Sequence, residues 1–99
     1  MNKLKLKITE QAKADITSIV EYIAQDNKTA AYAMSTYLYS VCQKLVGFPE
    51  IGTSRPDFTY KNYRFLTIKK RYIIAYRVEE NILFVSRVLS AYQDICELL

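Results

Sequence analysis

The chain has 99 residues, 51% of them apolar, and a formal net charge of +4. That length suits one domain, residues 1–99, with a single modest core. Histidine is absent, which removes the commonest general base near neutral pH and the commonest transition-metal ligand.

The two cysteines, Cys42 and Cys96, match no metal or redox spacing, so no metal and no cofactor is expected. Cys42 falls on an apolar helical face and reads as a buried, reduced thiol. With no secretory leader and no run near the ~20 apolar residues of a membrane span, a cytoplasmic protein without membrane association is expected. The positive charge favours an acidic partner, whether nucleic acid, anionic surface or acidic protein, and does not choose among them.

Residues 3–8 alternate lysine with Leu4, Leu6 and Ile8. Period two predicts a strand, and its lysines suit a sheet edge, where charge blocks unwanted pairing. Thr9 is placed to cap a helix over 10–26 with Ala12, Ile16, Ile19, Val20 and Ile23 on its apolar face. Glu10, Asp15 and Glu21 read as its solvated surface. Asp26-Asn27-Lys28 supplies cap chemistry for a second helix over 29–46, which puts Ala30, Met34, Tyr37, Leu38, Val41, Cys42 and Leu45 on one face. Gly47 is expected as its C-cap, and Pro49 forbids continuation. So short a connection predicts an antiparallel helical hairpin.

Residues 48–59 read as a loop, rich in turn formers. Strands are predicted over 63–68, 71–78 and 82–89, joined by Lys69-Lys70 and by Glu79-Glu80-Asn81. The last two strands are apolar on both faces: Ile73 and Ala75 alternate with Tyr72, Ile74 and Tyr76, and Ile82 and Phe84 with Leu83 and Val85. Such strands need cover on both sides. The hairpin can supply one cover, leaving the other to a final short helix or a second polypeptide. Ser90 to Gln93 has the spacing of a capping box for that helix, over 91–98. The sum is an α+β domain of order β-α-α-β-β-β-α, with the helical hairpin on a mostly antiparallel sheet.

Residues 60–77 hold six basic residues and no acidic one, with tyrosines between them. Arg64, Arg71, Arg77 and Arg87 could meet an acidic target or merely be solvated. Lys69 and Lys70 could clamp a phosphate or simply form a soluble turn. Tyr63, Tyr72 and Tyr76 could stack on bases or pack within the sheet. Ser90 is explained by its cap role.

Several local features, in their order, resemble one family. Ala14-Asp15-Ile16 and Glu21-Tyr22-Ile23 fall in the first helix, and Phe48-Pro49-Glu50-Ile51-Gly52 follows the second. Tyr63-Arg64-Phe65 opens one strand, residues 72–78 (YIIAYRV) form the next, and Arg87-Val88-Leu89 closes the last. Gln93-Asp94-Ile95 lies in the final helix. The chain thereby resembles the RelE/ParE superfamily of bacterial type II toxins, closer to its ParE-like branch.

The resemblance implies a RelE/ParE-like fold and a toxin held in a hetero-oligomer by an acidic, largely helical cognate antitoxin. It also implies a target: DNA gyrase for a ParE-like inhibitor, or the ribosome and its mRNA for a RelE-like endoribonuclease. Nuclease members place an arginine where Ile73 stands, and basic residues where Ser90 and Ala91 stand, so this chain departs from their pattern. It departs from ParE-like members too, which often carry a histidine at Ser90 and basic residues near Tyr92 and Gln93. The residues expected to meet target or antitoxin are Arg64, Lys69, Lys70, Arg71, Tyr72, Tyr76, Arg77, Arg87, Ser90 and Tyr92. A basic nucleic-acid-binding module without toxicity is the third reading, after the inhibitor and the nuclease.

Overall fold

The computed structural model describes residues 4–54 and 62–90. In chain order they form β1 (Lys5–Ile8), α1 (Glu10–Ala24), α2 (Lys28–Gly47), β2 (Thr53–Ser54), β3 (Arg64–Ile68), β4 (Tyr72–Glu79) and β5 (Ile82–Ser90). The sheet has five strands in the order β1-β5-β4-β3-β2. β1 runs parallel to β5 at the edge, and the other pairs are antiparallel. The predicted final helix and its capping box past Ser90 lie outside the described residues, as does Tyr92.

Thr9 starts α1 as predicted. Its Oγ1 accepts from the Ala12 amide at 3.1 Å and donates to the Ser86 carbonyl at 2.9 Å. Asn27 starts α2 by accepting from the Ala30 amide. The α2 stripe differs from the predicted one: Ala31 is buried and Ala30 is exposed. The two alanines are equally apolar, and the helix lies on the sheet through the Ala31–Leu38–Val41–Cys42–Leu45 side. Gly47 is not the cap but the last helical residue; Phe48 is the C-cap, its amide donating to the Lys44 carbonyl. No glycine among the described residues has positive φ, so this helix ends without a left-handed glycine. β2 was not predicted. It is two residues long, in a segment dominated by turn formers, and pairs with Phe65 and Arg64 of β3.

The main core lies between hairpin and sheet, with Ile16, Leu38, Leu45, Ile74, Leu83 and Val85 at its centre. A slip in register between Ala75 and Tyr76 leaves Ser86 as an extra residue in β5. This bulge lets Val85 and Val88, three residues apart, both face the helices, which strict alternation would forbid.

The opposite face carries a second cluster of Phe65, Ile73, Ala75 and Leu89, with Tyr63 against it. Their exposures are 4%, 7%, 0% and 1% in the single chain. The cover expected for this face, from a final helix or a second polypeptide, is thus met within the single chain at these four side chains.

Candidate functional site

Two polar anchors fix the edges of the sheet, and both use residues expected to meet a partner. At the β2–β3 side, Tyr76 is fully buried. Its hydroxyl accepts from the Gly52 amide at 2.9 Å and donates to the Pro49 carbonyl at 2.7 Å. A Cβ on Gly52 would lie 2.5 Å from that oxygen, so the close approach requires glycine. Arg64 completes the latch by donating to the Gly52 carbonyl at 2.8 Å. Burial pushes the Tyr76 phenol above its usual range, against the lowering effect of the Gly52 hydrogen bond and the Arg64 charge.

At the other side, β1 stops at Ile8, opposite Val85. Beyond it α1 supplies the acceptors that an edge strand lacks. Asp15 takes the Val88 amide at 3.0 Å and grips Arg87 through two hydrogen bonds, at 2.7 and 3.0 Å. The paired side chains are 17% and 16% exposed. The hydrogen bond to Asp15 holds the guanidinium protonated above its already high range, although burial opposes it. The reading of Asp15 as solvated helix surface is thus corrected. Its position on α1 gives no hint that it reaches a strand 72 residues away.

The remaining candidates are dispersed. Arg77 lies over the Phe84 ring, 4.8 Å from its centroid, and pairs with Glu79. Lys69 and Lys70 form the β3–β4 turn with φ of 52° and 55°. Both lie in the left-handed region that asparagine and glycine ordinarily occupy in tight turns, here within a three-residue connection from Ile68 to Tyr72. Lys69 also lies 4.5 Å from the Tyr37 ring centroid. Arg71 and Arg77 stand six residues apart on extended chain, roughly 20 Å, so they cannot share one small ligand.

Arg71, Tyr72 and Ser90 do come together. With Asp15, Ser18, Ile19, Tyr22 and Val88 they line a cleft of about 570 Å³ between α1 and the sheet. Tyr72 is buried at its floor, and the Tyr22 ring is 72% exposed at its mouth. Arg71 is exposed, and its guanidinium has no ion-pair partner among the described residues. Asp15, Ser18, Ile19 and Tyr22 follow the i, i+3, i+4, i+7 spacing of one helical face. The sequence signal for this wall was Tyr22, a large aromatic off the main apolar stripe. The arrangement suits a segment that brings a carboxylate to Arg71 and an apolar group to Tyr22.

A helical hairpin on a five-stranded mixed sheet is the α+β architecture of the RelE/ParE-like toxins. Residues 6–95 match the family described as "ParE toxin of type II toxin-antitoxin system, parDE". The chain belongs to that family, whose toxins are partnered by an antitoxin. Among solved structures it is similar to one described as a chromosomal ParDE toxin–antitoxin system from P. aeruginosa. That match has a TM-score of 0.77 and 21% identity, and covers 91% of this chain and 98% of the other. A looser likeness, TM-score 0.48 and 15% identity over 91% and 97% of the two chains, is to a conserved hypothetical protein of Helicobacter pylori. No curated protein matches the chain.

Proposed function

We propose that this toxin inhibits DNA gyrase by binding it, without cutting RNA. In this reading an acidic, largely helical antitoxin neutralises it in the cytoplasm by seating a segment in the Arg71–Tyr22 cleft. Support for an inhibitor over a nuclease comes from the fate of the arginines. Arg64, Arg77 and Arg87 are each engaged by an acceptor of their own chain. Cleavage without histidine calls for several cations around one phosphate and a proton-transferring group of tuned pKa. Tyr76, whose phenol is pushed up rather than down, is buried in the latch.

The test is a supercoiling assay with purified gyrase and relaxed plasmid. The protein is expected to block supercoiling, and induced cells to filament and arrest replication. Unimpaired gyrase together with immediate translational arrest and cleaved mRNA would replace this reading with the nuclease one. The double variant Arg71→Ala, Tyr22→Ala is expected to weaken antitoxin binding about tenfold or more, with the melting temperature unchanged because both residues are exposed. Undiminished affinity would remove the cleft from the antitoxin interface.

A further inference from the structure

Lys69, Lys70 and Arg71, at the end of the β3–β4 hairpin, are the only three consecutive cations in the chain. All three are exposed, and no acidic residue occurs between Tyr60 and Val78 to neutralise them. Among the described residues none of the three has a carboxylate in ion-pair range, whereas Arg64, Arg77 and Arg87 are each engaged within the chain. The backbone there suits lysine poorly. At φ of 52° and 55° the β-carbon crowds the following carbonyl, and asparagine or glycine fits better. The Arg71 amide donates to the Ile68 carbonyl at 3.1 Å, which closes the turn and holds that conformation. Two lysines at positions that favour other residues point to a use for their charge.

We propose that this tip binds the phosphate backbone of duplex DNA, without reading its sequence. Lys69 leans toward α2, its ammonium 4.5 Å from the Tyr37 ring centroid, and Arg71 lines the cleft beside α1. The charges are therefore spread across the end of the hairpin, as a row of phosphates requires, rather than gathered on one point.

The surroundings of the tip select the ligand. Ile68 and Tyr72, which flank the turn, are buried. A tip of cations without an exposed apolar group lacks the centre of a protein interface. It suits phosphates, which side-chain cations contact directly. Single strands are ordinarily held by open rings that stack on bases; here Tyr72 is buried and Lys69 lies over Tyr37. The choice of DNA over RNA rests on the gyrase reading, since DNA is what that target holds; the phosphate contact itself does not.

Fluorescence anisotropy of a labelled DNA duplex of random sequence tests it, with the purified chain and no other protein. The outcome is thus independent of the gyrase assay. Three phosphate contacts predict a log–log salt slope of about −2.7, so affinity should fall about a hundredfold between ~25 and ~150 mM salt. Lys69→Asn with Lys70→Asn is expected to reduce the slope to about −0.9. Its melting temperature should be unchanged or higher, because asparagine suits the left-handed backbone. Arg71→Gln alone, at an exposed position, is expected to reduce the slope by about one. Lys28→Gln with Lys44→Gln removes the same charge elsewhere on the surface and should leave the slope unchanged. Equal losses from the two lysine pairs would assign binding to net charge and overturn the tip. Undiminished DNA binding by the asparagine pair overturns it too; if that pair loses only antitoxin binding, the tip belongs to the protein partner. A single strand or an RNA duplex bound more tightly than the DNA duplex overturns the choice of ligand.

Discussion

The two edge anchors do the same task with opposite chemistry. At one edge, a buried neutral hydroxyl joins Tyr76 to the Pro49–Gly52 turn. At the other, a mostly shielded ion pair joins Arg87 to Asp15 on α1. The neutral latch has nothing to gain from ionisation, since a phenolate could no longer donate to the Pro49 carbonyl. The clamp depends on charge, with both carboxylate oxygens of Asp15 turned to the Arg87 guanidinium. A neutral anchor fails when it is forced to ionise, and a charged anchor weakens when its counter-ion is removed.

Removing the counter-ion is expected to have the largest effect. Asp15→Ala removes the carboxylate that grips Arg87 and the acceptor of the Val88 amide, and should cost about 3 kcal/mol in urea unfolding. A loss below about 0.5 kcal/mol would mean that water replaces the carboxylate freely.

Alkali is expected to act on the other side of the comparison. The Tyr76 pKa is raised, so the stability held by its proton is present below the ordinary value of 10.0 and lost as pH rises through the folded value. Cys42, buried and pushed up to about 11 from 9.0, moves stability the same way. Its share is about 2–3 kcal/mol between those two pH values. Unfolding measured from pH 8 upward should therefore show declining stability. Cys42→Ala should flatten the first part of the decline and leave the tyrosine part. A profile level through pH 11 would contradict both assignments.

The smallest of the three effects tests the latch from its other partner. Gly52→Ala drives a methyl group into the Tyr76 ring and hydroxyl. Because both hydrogen bonds hold that ring in place, the change should cost about 1–3 kcal/mol, with Asp15 and Arg87 undisturbed. Full retention of the melting temperature would show that the turn can move away from the ring.

How much of this was legible in the sequence differs from element to element. Alternation in residues 3–8 and in the two-sided strands gave the sheet, and Thr9 and Asn27 marked both helix starts through their side-chain acceptors. Ala30 and Ala31 could not be distinguished, because neither has enough side chain to reveal which side of the helix meets the sheet. The bulge at Ser86 left no mark, since an extra residue in a strand is defined by its partner strand and not by its own composition. Asp15 was invisible for a related reason: helical spacing reports which residues are apolar, not which polar one meets a distant edge. Of the ten partner-facing candidates, Arg71, Tyr72 and Ser90 share the cleft. Tyr76, Arg64 and Arg87 share a basic or tyrosine-rich composition with them yet hold the fold together. Composition cannot separate a guanidinium that awaits a partner from one already bound.

The parallel pairing of β1 with β5 has a consequence for how the protein is made. Residues 5–8 leave the ribosome well before their hydrogen-bonding neighbours, residues 82–85. Such a long-range contact delays completion of the sheet until β5 has been made. Until then neither Thr9 nor Asp15 has its β5 acceptor or donor, and the nascent polypeptide lacks a finished sheet. Whatever harm the mature molecule does waits until both partners of this pairing have been made.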